Sequence, residues 1–468
     1  MKNRERIIWI STVSVLFVVL LFGVFVNDAK GASVTSGFQY IQKFLNVMEM
    51  VKKEYVDESK IDNEKLINGA IKGMIDSIGD PHTNYLSKED MDEMNQTSDG
   101  KFGGVGMIIS EKDDYITVVT PIEDTPAFRK GMKSGDMLIS VDGKSLRSVK
   151  VSEAAKMLKG TPGTSVKVEF IRNEIKYEVE FVRAIIDVPT VKYSYIKDKY
   201  GYLRITQFAG TTDGYVKKAL SEFKDKNIKG MIVDLRSNPG GLLGQVIKIV
   251  DFFQDDGIIV STKGRSNFDN SVSKANKFDT LVANDIPVII LIDQGSASAS
   301  EIFSGALKDN KRAILIGEKS YGKGSVQTIK RLDYDGYKIT IAKYYTPSGV
   351  CIDGIGIEPD IAIKEPELND DEKDSLRKLY KDKIIDEYVK KNPHPTIEQI
   401  NEEIKIIQKK GYSLSDRHLK KLLKNAIELT EDTKIVYDLE YDIQLQKAVE
   451  VLDNNLLEFK DGTFILKK

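Results

Sequence analysis

A serine-rich turn and a lysine-containing loop follow one another in this sequence with no histidine between them. The turn is Gly295-Ser296-Ala297-Ser298-Ala299-Ser300-Glu301, and the loop is Tyr321-Gly322-Lys323-Gly324-Ser325-Val326-Gln327. A serine hydroxyl is a weak nucleophile that needs a base within hydrogen-bonding reach, and a lysine can be that base when it is neutral. The pattern therefore indicates a serine nucleophile served by a lysine base.

Burial is the physical means of keeping Lys323 neutral. Desolvation disfavours the ammonium form, and buried lysines titrate well below the usual value of about 10.4. The apolar runs Pro287–Ile292 and Ile314–Ile316 would supply such surroundings. Gln327 lies four residues after Lys323, so in extended structure both side chains would face the same side and the amide oxygen could accept from the amine.

The elements that must position these residues are also readable. The serine turn lies between a predicted buried strand, 287–293, and a predicted helix, 301–307. Free backbone N–H groups at such a corner can stabilise an oxyanion. Another strand, 230–236, runs into Ser237-Asn238-Pro239-Gly240-Gly241, whose glycines would let the backbone approach a ligand closely. Alternating strands and helices from about 185 to 364 predict an α/β domain with a parallel or mixed sheet.

Each of these residues also has a purely structural interpretation. Ser298 to Glu301 fits a capping box, in which Ser298 caps the helix and Glu301 reaches back to it. Lys323 between two glycines is commonly a solvated loop lysine, and Gln327 a surface polar residue. A phosphate-binding loop is disfavoured because the Gly-x-x-x-x-Gly-Lys-Ser/Thr pattern is absent from the sequence.

A glycine-rich segment with short predicted strands precedes the α/β region. Its hexad Phe102-Gly103-Gly104-Val105-Gly106-Met107 and the later run 135–143 resemble a PDZ domain of the type found in bacterial proteases. By that resemblance, the peptide-binding residues would be Gly103, Gly104, Val105, Gly106 and Met107. Their backbone N–H groups would hold a peptide C-terminus while the peptide adds a strand to the sheet edge. A tight β-turn is the alternative role for these glycines.

Composition narrows the function further. The 468 residues predict about three domains at roughly 150 residues each. With 69 Lys+Arg against 71 Asp+Glu, the net charge of −2 gives no bulk attraction for nucleic acid. Cys351 is a single cysteine, and His82, His394 and His418 match no metal-ligand spacing. We therefore expect no nucleic-acid binding, no metal and no organic cofactor.

The N-terminus predicts a membrane segment. Basic residues up to Arg6 precede Ile7–Val26, a run without a charge. At about 1.5 Å per residue this run just spans a hydrocarbon layer of roughly 30 Å. We expect a single-pass anchor that leaves the rest of the chain outside the cytoplasmic membrane. Residues 29–32 offer a passable signal-peptidase site, so secretion is the alternative.

Taken together and in this order, the motifs resemble those of the carboxyl-terminal processing peptidases, tail-specific serine proteases of the S41 type. The resemblance extends from about Phe38 to Lys364 and includes Asp80-Pro81-His82-Thr83, the PDZ segment, Asp234-Leu235-Arg236-Ser237-Asn238-Pro239-Gly240-Gly241, the serine turn and Tyr321-Gly322-Lys323-Gly324. It implies a crotonase/ClpP-like α/β protease core with an inserted β-rich PDZ domain and helical N- and C-terminal regions. The predicted boundaries are 1–30 for the anchor or signal segment, 34–95 for the helical N-terminal region, 96–184 for the PDZ domain, 185–364 for the serine protease core, and 365–468 for a C-terminal helical region that could support dimerisation.

The resemblance also implies a role for each site residue. Ser298, the middle serine of its turn, would be the nucleophile, and Lys323, 25 residues later, the general base. Gln327 would orient Lys323. The oxyanion hole would consist of backbone N–H groups of Ala299 and of Gly240 or Gly241.

The predicted function is that of a serine endopeptidase of envelope proteins, whose PDZ domain recognises substrate C-termini. Its partners would be proteins or peptides with exposed C-termini, and the resemblance makes a homodimer plausible. A catalytically silent PDZ scaffold or chaperone of the cell envelope is the alternative, against which the intact Ser298, Lys323 and Gln327 argue. A crotonase-like acyl-CoA enzyme is disfavoured by the export signal and the PDZ segment.

Overall fold

The computed structural model describes residues 34–88, 90–91, 94, 101–112, 115–122, 125–133, 135–172, 175–187, 190–366, 368–428, 436–460 and 462–467. The chain divides into two compact units, 1–85 and 86–468. The predicted anchor Ile7–Val26 lies outside the described residues. Within the ranges given above, no helix combines the length and the apolar character that a membrane crossing requires.

The described part of the first unit begins with helices. Helix α1 (Val34–Glu54) is followed by a 3₁₀ turn, Glu58–Lys60, and by α2 (Asn63–Asp76). α2 begins where the Asp62 carboxylate accepts from the N–H groups of the first helical turn. A short strand, β1 (Asn84–Leu86), follows.

The PDZ segment forms an antiparallel sheet in the order β3-β4-β5-β7-β8, with β6 paired to β5. Two helices, α3 and α4, accompany this sheet, and β2 pairs with β9 outside it. Buried side chains such as Val118, Leu138 and Phe181 form its own core. The elements are β2 (Lys101–Gly104), β3 (Met107–Lys112), β4 (Tyr115–Pro121), α3 (Pro126–Arg129), β5 (Met137–Val141), β6 (Lys144–Ser145), α4 (Val151–Leu158), β7 (Ser165–Arg172), β8 (Ile175–Val182) and β9 (Ala184–Asp187).

The predicted protease core contains a mixed sheet in the order β10-β11-β12-β15-β16-β19. β10 and β11 are antiparallel, and the remaining neighbours are parallel. All five residues of β15 are buried, as expected for a central parallel strand. Its strands are β10 (Val191–Ile196), β11 (Tyr200–Ile205), β12 (Met231–Asp234), β15 (Val288–Ile292), β16 (Ala313–Gly317) and β19 (Ile361–Ala362), and its helices are α5 (Thr212–Asp225), α6 (Leu243–Asp251) and α7 (Ala299–Asp309).

A second group of strands forms a sheet separate from the mixed sheet. β17 pairs antiparallel with β18, and β13 pairs antiparallel with both β14 and β18. These strands are β13 (Ile258–Gly264), β14 (Ser271–Lys274), β17 (Ser325–Arg331) and β18 (Gly336–Tyr345), with 3₁₀ turns at Asn267–Asp269 and Lys277–Asp279. The mixed sheet and the separate PDZ sheet confirm the predicted fold class.

The C-terminal region, predicted as one helical part, divides in two. Helices α8 to α11 enclose a core of their own around Leu379, Ile407 and Leu423. α12 instead packs Leu445 and Val449 against Tyr202 and its neighbours, so it covers one face of the mixed sheet. The elements are α8 (Asp370–Lys381), α9 (Ile384–Lys391), α10 (Ile397–Lys409), α11 (Asp416–Glu428), α12 (Ile443–Asp453), β20 (Leu457–Lys460) and β21 (Thr463–Leu466).

Candidate active site

The neighbouring parallel strands β12 and β15 end beside one another. Asp234, the last residue of β12, is in register with Leu291 of β15. In open α/β sheets, ligands usually bind where loops leave the carboxyl ends of adjacent strands. Residues 235–242 follow β12 and are called the glycine loop here. Residues 293–298 follow β15 and form the serine turn, because the last three residues of the predicted turn, 299–301, belong to α7. The predicted nucleophile and the two predicted oxyanion-hole glycines thus leave adjacent strand ends.

Ser298 stands at a strained corner between β15 and α7. Its backbone angles, φ 54° and ψ −112°, lie where residues other than glycine are rarely found, and such conformations cost of the order of 1–3 kcal/mol. The capping box is present, because Glu301 Oε2 accepts from the Ser298 N–H at 2.8 Å. The Ser298 hydroxyl oxygen faces the N–H of Glu301 as the other half of the box. A cap uses the hydroxyl only as an acceptor, so its O–H can still donate to a base.

The glycine loop lies directly against the serine turn. The buried Asn238 carbonyl accepts from the Ala297 N–H at 3.0 Å and from the Ser300 hydroxyl at 2.9 Å. A Cβ placed on Gly240 would come within 2.8 Å of Ser298 Cβ, and the φ of Gly240 is +103°. Only glycine meets both conditions, so the loop requires glycine where it approaches the predicted nucleophile.

The backbone donors beside Ser298 differ in their availability. The Gly240 N–H already donates to the Asn238 side-chain oxygen at 2.9 Å. Within the described part of the chain, the N–H groups of Gly241 and Ala299 donate to no acceptor. Of the three predicted oxyanion-hole residues, Gly241 and Ala299 thus have free donors, whereas the donor of Gly240 is occupied.

One buried carboxylate joins the serine turn to the lysine loop, which in the structure comprises residues 318–324 because Ser325–Arg331 form β17. Glu301 has no exposed surface. Its Oε2 accepts from the backbone N–H groups of Ser298 and Lys323, both at 2.8 Å. Its Oε1 accepts from the Ser320 hydroxyl at 2.6 Å and from the Gly322 N–H at 2.7 Å. The sequence indicated only a helix cap for Glu301; the structure adds three donors from a loop that begins 17 residues later.

Lys323 is half-buried beside the serine turn. Burial lowers the pKa of its amine, and the positive charge of Lys338 lowers it further. No ion pair or hydrogen bond of the Lys323 amine occurs among the residues that the structure describes, and the Ser298 hydroxyl faces only the Glu301 N–H of the capping box. The amine thus has the environment expected of a neutral base, while the serine and lysine side chains are not hydrogen-bonded to each other.

Gln327 differs from the geometry that the sequence predicted. Its side-chain NH₂ donates to the Ser325 hydroxyl at 2.8 Å and to the Thr340 hydroxyl at 3.3 Å. Lys323 precedes β17, and a register shift separates Val326 from Gln327. Regular alternation from residue 323 to 327 is therefore interrupted, because a bulge changes which side each residue faces. The structure does not bring the Gln327 amide into hydrogen-bonding contact with the lysine amine.

A buried ion pair that the sequence left without a role supports the start of the glycine loop. Asp234 is fully buried and accepts from the Arg236 side chain at 2.6 and 2.9 Å and from the Tyr202 hydroxyl at 2.7 Å. Burial opposes its charged form, yet the hydrogen bonds and charge of Arg236 keep the pKa of Asp234 below its usual value. A charged residue in a strand of apolar neighbours was the available signal, since buried charges are almost always paired.

The PDZ glycine hexad lies beside a small groove. β3 is an edge strand of its sheet, as strand addition requires. A cavity of about 60 Å³ is lined by Phe102, Gly104, Val105, Gly106, Met107, Ile109, Ala155, Leu158 and Lys159. The N–H groups of Val105 and Gly106 donate to nothing within the described residues. Gly103 is set apart from this lining, because its carbonyl accepts from the Gly160 N–H at 3.0 Å and its position serves close packing.

Three family models match successive parts of the chain. The model for peptidase family S41 matches residues 199–363, a PDZ domain model matches residues 103–181, and a model for the N-terminal domain of the activating protease CtpB matches residues 26–90. The matches follow the same order as the N-terminal helices, the PDZ sheet and the mixed sheet.

Individual relatives agree with these matches. The carboxy-terminal-processing protease of Bartonella bacilliformis is 40% identical over 336 residues, which cover 70% of this chain and 76% of that protein. The carboxy-terminal processing protease CtpA of Bacillus subtilis is 37% identical over 339 residues, covering 72% and 71%. A solved photosystem II D1 C-terminal processing protease is 26% identical with a TM-score of 0.43, and the match covers 69% of this chain and 92% of that one. The chain therefore belongs to peptidase family S41, the carboxy-terminal-processing serine proteases, and carries a PDZ domain.

Proposed function

We propose that this serine peptidase uses Ser298 as its nucleophile and Lys323 as its general base, with the N–H groups of Gly241 and Ala299 as oxyanion donors. The observation that carries the proposal is the Glu301 carboxylate, one oxygen of which accepts from the backbone of both Ser298 and Lys323. Sharing one acceptor oxygen holds the nucleophile and the base in adjacent backbone positions. A half-buried amine without a counter-ion among the described residues supports the role of base.

The chemistry follows from these positions. The neutral Lys323 amine removes the proton from Ser298 Oγ as that oxygen attacks the scissile carbonyl carbon. Negative charge then develops on the carbonyl oxygen, where the two backbone N–H groups at the start of α7 and in the glycine loop donate to it. When the C–N bond breaks, the lysine ammonium gives its proton to the leaving amine. Water activated by the same amine finally hydrolyses the acyl-enzyme on Ser298.

Peptide binding would complete the hydrogen bond between serine and lysine. The Ser298 hydroxyl and the Lys323 amine are not hydrogen-bonded at rest, and catalytic hydrogen bonds commonly tighten only in the substrate complex. Gln327 would orient the amine only if its amide turned from Ser325 and Thr340, so its orienting role belongs to the substrate-bound state.

The PDZ domain would select substrates by their C-termini. Free N–H groups of Val105 and Gly106 beside the edge strand β3 suit a terminal carboxylate on an extended peptide. Gly104 and Met107 would line the same groove, whose apolar wall favours an apolar last residue. Gly103 would support the loop from behind.

The substrates would be proteins of the cell envelope. Residues 7–26 would anchor the chain by a single span, with the catalytic part outside the cytoplasmic membrane. Secretion after cleavage near residue 32 is the alternative. The helical terminal regions, 34–95 and 365–468, would support a homodimer.

The test compares Ser298→Ala and Lys323→Met with the wild type on a loosely folded protein that ends in an apolar residue. Both variants should lose at least about a thousandfold in kcat/KM, because nucleophile and base act as one unit. Ser304→Ala is the matched control, since its hydroxyl is buried on the same helix without a partner among the described residues. Near-wild-type cleavage by Ser298→Ala rejects the proposed nucleophile, and equal background in all proteins, wild type included, supports a PDZ scaffold instead.

A further inference from the structure

We infer that Asp442, in the C-terminal region, is a positioning residue for the glycine loop and acts through Arg236. The inference rests on the proposed function, because Gly241 of that loop is a proposed oxyanion donor. Asp442 lies 206 residues from Arg236 in the chain. It does not touch the serine or the lysine; its effect would pass through the residues that hold the loop.

The Arg236 side chain has every donor occupied. Its Nε and one terminal nitrogen donate to Asp234 at 2.9 and 2.6 Å. Its two terminal nitrogens also donate to the two oxygens of Asp442 at 2.8 and 2.5 Å, and one of them donates to Gln444 Oε1 at 3.1 Å. These five contacts match the five N–H groups of a guanidinium. Bidentate pairing on two sides fixes both the position and the plane of Arg236.

Asp442 is itself firmly held. It is the N-cap of α12, and its Oδ1 accepts from the Leu445 N–H at 2.9 Å. The side chains of Leu445 and Val449 pack with Tyr202 in a buried cluster on the mixed sheet. Gln444 adds a hydrogen bond to the Ile363 carbonyl at 2.8 Å. The carboxylate that holds Arg236 is therefore mounted on a helix that belongs to the protease core.

The path from Arg236 to the proposed oxyanion donor is short. Ser237 follows Arg236 with φ 57°, a strained value for serine. Asn238 follows, and its side-chain NH₂ donates to the Ile205 carbonyl at 2.8 Å. Strained residues persist only where their surroundings fix them. Arg236 fixes one side of Ser237 and Asn238 the other, while Asp293 accepts from the Ser237 N–H at 2.8 Å and from its hydroxyl at 3.2 Å. Loss of Asp442 would release the Arg236 side, so Ser237 would turn about its contact with Asp293 and displace Gly241.

The ion pair of Arg236 and Asp442 is largely shielded from solvent. The Arg236 side chain is 14% exposed and that of Asp442 17%. Charge-assisted hydrogen bonds at such sites are much stronger than exposed ion pairs. Exchange of Asp442 for a shorter residue would remove two of the five contacts of Arg236 and leave two of its N–H donors without an acceptor.

Asp442→Ser and Asp453→Ser form a matched pair for the test. Serine is as good an N-cap as aspartate, so Asp442→Ser removes the contact with Arg236 and keeps the start of α12. Asp453 ends the same helix and also binds the core, accepting from Lys197 and from the Tyr200 hydroxyl, both at 2.8 Å. Loosening of α12 would therefore affect both variants, whereas displacement of the glycine loop would affect only the first.

We expect Asp442→Ser to lower kcat about 10- to 100-fold with KM changed less than about twofold, because a displacement near 1 Å can cost about a hundredfold. Asp453→Ser should keep both constants within about twofold of the wild type, whatever it does to the Tm. Should Asp442→Ser fail to fold, Asp442→Asn has the same size and capping ability and should lower kcat to an intermediate degree.

Restoration of kcat by added acetate separates a positioning role of Asp442 from a general effect on stability. Asp442 and Arg236 line a cavity of about 400 Å³. Acetate has the size of the CH₂–COO⁻ group that Asp442→Gly deletes, so it should restore at least about a third of the lost kcat in that variant, and chloride at equal ionic strength should not.

Two results overturn the inference: wild-type kcat in Asp442→Ser, or an equal loss of kcat in Asp442→Ser and Asp453→Ser. Neither result contradicts the proposed role of Ser298, provided that Ser298→Ala is inactive in the same assay. If Ser298→Ala remains active, the proposed function itself is rejected. The two failures are thereby distinguished.

Discussion

Replacement of Glu301 tests how the serine turn and the lysine loop are held together. Among the described residues, Glu301 is the sole acceptor of four hydrogen bonds. Two come from the buried Ser320 hydroxyl and Gly322 N–H, and two from half-buried backbone N–H groups that water can reach. Glu301→Ala leaves the two buried donors unpaired at about 1–3 kcal/mol each, so the expected loss is about 2–6 kcal/mol. Native domains are stable by only about 5–15 kcal/mol, so we expect Glu301→Ala to remove a large part of the stability of the protease core.

Glu301→Gln is the milder and more informative change. The glutamine oxygen can replace Oε2 and accept from Ser298 and Lys323, and its NH₂ can donate to the hydroxyl of Ser320. The Gly322 N–H then has no acceptor, which predicts a loss of about 1–3 kcal/mol in the free energy of unfolding. Because the lysine loop shifts with Gly322, kcat/KM should also fall by about 10-fold or more.

Urea denaturation followed by far-UV circular dichroism measures the change in the free energy of unfolding. Cleavage of a peptide substrate measures the change in kcat/KM. Glu358→Gln is the matched control. Its carboxylate is 65% exposed and pairs with Lys319 at 2.7 Å, so its loss should cost no more than about 1 kcal/mol and leave activity unchanged. Wild-type stability and activity in Glu301→Ala would refute the reasoning.

Three further predictions follow from the site. Gly240→Ala should abolish activity, because its Cβ would lie 2.7 Å from the Ala297 carbonyl oxygen at a φ of +103°; soluble, folded protein of wild-type activity would contradict this. Lys338→Gln should raise the pKa of Lys323, whose pKa burial and then Lys338 lower. Since the proposed base is neutral only above its pKa, the acidic limb of the plot of kcat/KM against pH should move to higher pH. No shift, or a shift to lower pH, would contradict this prediction. Ala155→Glu should fill the PDZ groove and raise the Kd of a fluorescent peptide with a free C-terminus at least tenfold, with the C-terminally amidated peptide as control. An unchanged Kd would show that the groove does not bind the peptide.

Much of the fold and the chemical class could be predicted because the informative patterns are local. A buried strand, a serine turn and the start of α7 occupy neighbouring residues, so their order in the chain is also their order in space. The glycine-rich hexad indicated the PDZ domain for the same reason. The predicted helix 301–307 became α7 (Ala299–Asp309), because the capping box at Ser298 sets its first turn.

The arrangement within the site could not be predicted, because its hydrogen bonds join distant segments. The occupied N–H of Gly240 depends on how the Asn238 side chain turns, and the contacts of Gln327 depend on a bulge that sequence alternation does not reveal. The division of residues 365–468 between a separate helical core and the protease core likewise depended on which face each helix buries.

The sequence by itself determined that this chain is a serine peptidase with a PDZ domain, because it contains the motifs of that family in the family's order. Tertiary structure alone decided that Glu301 holds the backbone of both Ser298 and Lys323, the proposed nucleophile and base, and that Asp442 reaches Arg236. The physical reason is that a buried carboxylate takes its donors from whichever segments the folded sheet brings to it, and the order of residues along the chain does not specify those neighbours.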